Sequence, residues 1–351
     1  MRDAESRVSS SRLHFGYIVP TLQSLWTDWR MQDIFYNHAR RVRSVWRLAI
    51  FAVAFYIARG GLLISTLFGL ALVLPAKTHN WLLVESNWGF VIQAAVFFIP
   101  AAVVGLGCGY VLEDLPWRAL GWATHRGWIR DAVFGMLIGA VSIGCAALLG
   151  ATAGGYRFTL TESFSAVAVA RTFVTSGVIF LLSAAAEEMI FRGYPLQTLL
   201  RSWPLWVAIA ITSVPFAFAH LDNPEVVPGF TFVNTLLAGA WLGVAYWRTR
   251  SLWLPFGIHA GWNWVQGAVL GSPVSGIARI APAPLLRFSD AGPFWIGGGS
   301  YGIEGGAACT IALILATLFI WRTRLLSATP EMKQYTDGEI PNPETPRITL
   351  S

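Results

Sequence analysis

Eight apolar runs of about 20 residues recur along this chain, and they leave few folds open to it. They lie near 46–76, 88–112, 131–151, 166–190, 204–220, 229–247, 252–271 and 307–322. A helix of that length rises about 30 Å at 1.5 Å per residue, the thickness of a bilayer's hydrocarbon core. In hydrocarbon every backbone N–H and C=O must be satisfied within the protein, so such runs fold as packed helices. The expectation is an all-α, polytopic transmembrane helical bundle of about eight spans. The first run is overlong and broken by Arg59-Gly60-Gly61, which predicts a kink or a hidden half-span.

The loops set the orientation. Basic residues crowd the N-terminal tail (Arg40, Arg41, Arg43, Arg47), the 113–130 loop (Arg118, Arg126, Arg130), Arg201, the Arg248/Arg250 turn and the end (Arg322, Arg324). Segments 77–87, 152–165 and 221–228 carry few or none. Cytoplasmic loops hold the excess of Lys and Arg, so eight spans with both termini cytoplasmic satisfy the alternation. Segment 272–306, with Arg279 and Arg287, fits it least well. The net charge of +6 is therefore a matter of topology, with no nucleic-acid partner expected. Charged residues make up 13% of the 351 positions, against about 25% in an ordinary soluble domain. The bilayer is the partner these numbers imply, and seventeen Trp suit its interfaces.

Four regions follow. Residues 1–44 read as a polar cytoplasmic tail, and residues 45–112 as N-terminal transmembrane helices. Residues 113–325 form the core that carries the chemistry. Residues 326–351, rich in Pro, Thr and charge, are expected to be disordered. Cys108, Cys145 and Cys309 are odd in number, lie in apolar segments and read as small core residues. About 45 mostly polar residues precede the first run, so no cleavable signal peptide is expected. No internal repeat is visible, which weakens an inverted-repeat transporter reading.

Ionisable residues inside a span are costly, and each begins as a functional hypothesis. The fourth run ends at Glu187-Glu188-Met189-Ile190-Phe191-Arg192. Glu188 and Arg192 are four apart, share a helix face and can pair. Glu187 points about 100° away, free to face a cavity between helices. The fifth run ends at Phe216 and His220, and the seventh holds His259 and Asn263 on one face. Glu187 lies 17 residues before the turn near Trp203-Pro204 and His220 16 after it, which puts them at similar depth. His259 starts closer to its own turn near Arg250. It reaches that level only if the hairpin of the fourth and fifth spans projects into the cytosol.

A carboxylate desolvated between helices gains basicity, and a neighbouring His can share in activating water. A second His and an Asn amide can donate to a developing oxyanion. The set suffices for amide hydrolysis without a covalent intermediate. Glu187, His220 and His259 are equally a candidate zinc set, since two His and a carboxylate form a known ligand trio. The H-E-x-x-H arrangement is absent, so the spacing does not signal metal, and the cofactor is either none or zinc.

E-E-x-x-x-R at Glu187, Glu188 and Arg192, F-x-x-x-H at Phe216 and His220, and H-x-x-x-N at His259 and Asn263 resemble the CAAX protease and bacteriocin-processing family. That family comprises CAAX prenyl proteases, relatives of the Ras-converting endopeptidase. The similarity covers about residues 113–325, including the Gly271–Gly276 and Gly297–Gly306 stretches, which look like bacterial members. The resemblance implies an eight-helix intramembrane endopeptidase in a bacterial inner membrane, acting on a hydrophobic or lipidated peptide or protein. It assigns water activation to Glu187 with His220 and oxyanion stabilisation to His259 and Asn263, with Glu188, Arg192 and Phe216 in support. Both a glutamate-type and a metallo-endopeptidase stay open, as does whether a prenylated CAAX protein is cut. Two other readings stand beside the enzyme: a non-enzymatic membrane peptide-binding or immunity factor, and a proton-coupled transporter relaying through Glu187 and His220.

Overall fold

A computed structural model describes residues 34–37, 40–161, 165–227 and 229–337. The chain divides into two compact units, Met1–Arg43 and Ser44–Ser351. In the first, Tyr36 and Val42 form an isolated antiparallel bridge, and the rest of the expected N-terminal tail lies largely outside the described residues.

The second unit is a helical membrane bundle. Its long helices are α1 (Ser44–Val73), α2 (Trp88–Glu113), α3 (Trp128–Thr152) and α4 (Ala166–Phe191). A short α5 (Tyr194–Leu200) leads to α6 (Leu205–Ala219), α7 (Phe230–Thr249) and α8 (Trp253–Trp264). A π-helical turn, Val265–Val269, extends α8. Between α3 and α4 lies β1 (Tyr156–Leu160); it pairs with β2 (Leu286–Asp290), which precedes α9 (Ala307–Arg322) and α10 (Pro330–Thr336). Ile57, Val73, Val111 and Val167 are all at least 70% exposed, and a face of such residues belongs in lipid. The chain is an integral membrane protein.

Helix boundaries follow the apolar runs, with instructive departures. The first run is one continuous helix through Arg59-Gly60-Gly61, followed by a short helix Ala76–Asn80 and a π turn Trp81–Glu85. Within it Arg59 lays its guanidinium 4.2 Å from the Phe97 ring of α2, a favourable setting for a cation in a span. Helices α6 and α9 are only 15 and 16 residues long. The 152–165 and 272–306 segments, read as loops, supply the two strands, with Tyr156 opposite Asp290 and Leu160 opposite Leu286. Cys108 and Cys309 are buried, but Cys145 is exposed on α3, so only two of the three cysteines are core residues.

The expected disorder after residue 325 is contradicted as far as Asp337; residues 338–351 lie outside the described ones. Thr329 caps α10 by accepting from Met332 N, and Pro330 opens the helix where its missing N–H costs nothing. Leu326 and Met332 are buried, Arg118 pairs with Glu331, and Arg250 pairs with Asp337 at 3.4 Å. Arg248 donates to the carbonyls of Trp321, Thr323 and Leu326, capping α9 and anchoring the segment. Apolar anchors and arginine partners outweigh a polar composition.

Helices α3 and α8 press together along a glycine seam. Gly135 and Gly139 of α3 face Gly257 and Gly261 of α8, four residues apart on each helix. A Cβ at Gly139 would stand 2.1 Å from the Ile258 carbonyl oxygen, and one at Gly257 would stand 2.1 Å from that of Ala132. Such small-residue seams let backbones meet in lipid, where no hydrophobic effect drives helices together. His259 sits between the two glycines of α8.

Candidate functional site

Two helix ends and one face of a third helix build the site. Helix α4 stops at Arg192, where the Arg192 and Gly193 amides both donate to the Glu188 carbonyl at 2.8 and 2.9 Å. A Cβ at Gly193 would lie 2.3 Å from the Met189 carbonyl oxygen, so the break needs glycine. At 15 residues α6 is about 22 Å long, short of the hydrocarbon thickness, and its C-cap residue is His220. Helix α8, fixed by the seam, presents His259 and Asn263 one turn apart.

Glu188 and Arg192 are fully buried and pair at 3.2 Å. Glu188 Oε1 also accepts from His259 Nδ1 at 2.9 Å. Arg192 donates its other terminal nitrogen to the Gly239 carbonyl of α7 at 3.1 Å. Its guanidinium lies 4.3 Å from the Phe216 ring centre. Phe216 in turn packs against His220 with the rings tilted, centres 4.6 Å apart, and meets His259 edge-on at 6.3 Å. One aromatic ring thus touches three of the candidate polar side chains, which explains a phenylalanine at that motif position.

Glu187 turns away from this pair, as the helix geometry demands. Its Oε2 is buried without a hydrogen-bond partner and lies 3.7 Å from both His220 Nε2 and His259 Nε2. The depth mismatch anticipated for His259 therefore does not arise. The imidazoles have defined roles at their other nitrogens. His220 Nδ1 donates to the Phe216 carbonyl at 2.8 Å, so the neutral ring turns an Nε2 lone pair toward Glu187. His259 spends Nδ1–H on Glu188, leaving Nε2 an acceptor in the neutral ring and a donor in the imidazolium.

A pocket of about 500 Å³, counting its open mouth, lies beside these groups and is lined by His220, His259 and Asn263. Asn263 forms no side-chain hydrogen bond among the described residues, so both its donors are free for an occupant. Trp241, Trp262 and Leu242 make much of the wall apolar. All four expected catalytic residues and the three supporting ones thus converge.

Sequence reasoning missed the far wall, where Glu304 and Ser275 line the same pocket. Glu304 stands three residues before α9, where a lone carboxylate reads as an ordinary first-turn acid. Gly298-Gly299-Ser300-Tyr301-Gly302 has the spacing of a nucleophile elbow. It forms a 3₁₀ turn with Ser300 exposed, without the strand and helix an elbow requires.

Among the described residues, no group of three or more His, Cys, Asp or Glu could hold a metal ion. Glu187, His220 and His259 do come together, each Nε2 lying 3.7 Å from the same Glu187 carboxylate oxygen.

Residues 169–265 match a family model described as type II CAAX prenyl endopeptidase Rce1-like. The matched segment contains every motif residue from Glu187 to Asn263, and the matched family is the one those motifs resemble. A curated relative, the "Uncharacterized 24.3 kDa protein" of Escherichia coli, is 29% identical over 135 residues. That alignment covers 38% of this chain and 58% of the relative, so the chain spans little more than half of the relative's length. No solved structure matches the chain.

Proposed function

We propose that the chain is an intramembrane endopeptidase that hydrolyses a peptide bond of a membrane-associated, hydrophobic or lipidated substrate. The observation that carries this reading is Glu187 Oε2, unpartnered and flanked at 3.7 Å by two imidazole nitrogens beside a pocket. A water can sit within hydrogen-bond reach, about 2.6–3.2 Å, of both Glu187 and His220.

In the proposed reaction, Glu187 takes a proton from that water with His220 orienting it, and the hydroxide attacks the scissile carbonyl. The charge that develops on the carbonyl oxygen accepts from the Asn263 amide. It also accepts from His259 Nε2–H when that ring carries its second proton, with Glu188 at Nδ1 as the counter-charge. Collapse of the tetrahedral intermediate breaks the C–N bond, and the proton held by Glu187 passes to the leaving amine. Every step in this reading is carried by the chain's own side chains. Arg192 fixes Glu188, and Phe216 fixes the faces of Arg192 and His220.

Glu187→Gln is expected to lower turnover by about 10²–10⁴, the range of general acid–base catalysis, with little loss of thermal stability. The readout is mass spectrometry of peptide termini in membranes with and without the active protein. Equal cleavage by purified wild type and Glu187→Gln would remove the mechanism. Transport that depends on Glu187 and His220 without any cleavage would favour the relay reading.

A further inference from the structure

Glu304 stands apart from the fully buried carboxylates of the bundle. Glu113 is paired with Arg47 and Arg201, Asp131 with Arg130, and Glu188 with Arg192. Glu304 has no Lys, Arg or His within 4 Å among the described residues, although it is half-buried and lines the pocket. It is also held rigidly. Its Oε1 accepts from Trp262 Nε1 at 3.0 Å, and its Oε2 from Ser275 N and Oγ at 2.6 and 3.1 Å. Its backbone carbonyl accepts from Asn234 Nδ2 at 2.7 Å, which ties it to α7.

A carboxylate offers about four lone-pair directions, and these donors fill three. One direction on Oε1 is left for a pocket occupant. Trp262 lies one residue from Asn263 and three from His259, so the Glu304 carboxylate is fixed relative to the reacting groups. Holding the loop uses both carboxylate oxygens as acceptors but leaves the negative charge without a counter-ion. An anion kept without a counter-ion in a largely apolar pocket costs solvation, and a cation from outside relieves that cost.

We propose that Glu304 is a specificity determinant that receives a cationic group of the substrate, a lysine or arginine side chain or a free amine near the cleaved bond. This deepens the proteolytic reading and rests on it for the word substrate. The same charge discriminates against peptides that place a carboxylate at that position, a free C-terminal carboxylate included.

The test uses acetylated, amidated ten-residue leucine–alanine peptides carrying one lysine walked through each position, with norleucine, Nε-acetyllysine and glutamate counterparts. Binding is read by fluorescence anisotropy on full-length Glu187→Gln protein in nanodiscs, and cleavage on the active protein. At one register, lysine should bind at least about tenfold more tightly than acetyllysine or glutamate, and cleavage should follow the same order. In Glu304→Gln the lysine-to-glutamate ratio should collapse toward one. The acetyllysine comparison on unaltered Glu304 needs no folded variant. Equal affinity for lysine and glutamate peptides at every register, no binding of either, or a preference that survives Glu304→Gln overturns the proposal. Charge-selective binding with no cleavage would instead sink the proteolytic reading and leave the cation site standing.

Discussion

Removing Glu188 should do more harm than removing the arginine it pairs with. Glu188 Oε1 receives two donors, Arg192 Nη1 at 3.2 Å and His259 Nδ1 at 2.9 Å, and neither Glu188 nor Arg192 touches solvent. Glu188→Ala strands the guanidinium and the imidazole N–H together. Breaking a buried pair this way costs about 3–5 kcal/mol, because an uncompensated charge stays behind. Arg192→Met leaves Glu188 still bound to His259, and its cost should approach that of a hydrogen bond to a charged group, about 1.5–3 kcal/mol. The double variant Glu188→Ala/Arg192→Met removes both charges and leaves the His259 N–H without its acceptor and the Gly239 carbonyl without its arginine donor, about 1–3 kcal/mol. The singles should therefore sum to well above the double, a coupling of several kcal/mol. Equilibrium unfolding in mixed micelles measures all four corners of the cycle, and single-turnover cleavage reports the loosened His259 ring. Additive singles, or Glu188→Ala within about 0.5 kcal/mol of wild type, would refute the buried-pair reasoning.

Gly139→Ala should lower both yield and turnover, since its Cβ would fall 2.1 Å from the Ile258 carbonyl and push α8 off α3; normal activity in the purified variant would mean that the seam does not set His259. Asn263→Ala should cost about 10²–10³ in turnover, the effect of losing one oxyanion donor, with substrate binding nearly unchanged. Metal analysis of the purified protein decides the alternative. Stoichiometric zinc, lost together with activity in His220→Ala and His259→Ala, would displace the oxyanion role. Reporters fused after Arg126, Arg250 and Asp337 should read cytoplasmic, and those after Gly154 and Glu225 external; an external reading after Asp337 would require an odd number of spans.

The parts of this molecule legible in the sequence are those governed by local periodicity. Apolar runs located the long helices within a few residues, and the i, i+4 rule separated Glu187 from Glu188 before any contact was known. The parts that were not legible depend on partners far along the chain. Gly257 and Gly261 read as neutral residues in a span until Gly135 and Gly139 are seen facing them. The strands form only because 156–160 and 286–290 meet across 126 residues, a pairing that neither segment's composition announces. Glu304 escaped for the same reason: its donors come from Trp262 and Ser275, and its isolation from cations appears only once Glu113, Asp131 and Glu188 have found theirs. The order after residue 325 rests on two apolar anchors and arginines of distant loops, outweighed in any compositional reading by Pro and Thr.

The glycine seam divides the pocket into two walls with different capacities for change. On the α3–α8 side, backbone meets backbone, so nearly every substitution at the four glycines moves the helix that carries His259 and Asn263, and no side chain is available to trim. The opposite wall, from α7, α9 and the 271–306 segment, is made of side chains: Asn234, Thr235, Ser275, Glu304 and Leu313. Exchanges among them alter side chains that do not carry the helix bearing His259 and Asn263. A lineage built on this frame can retune what it accepts while its chemistry stays put. A saturation scan should show that division directly, as intolerance concentrated on one helix pair and graded selectivity changes on the other.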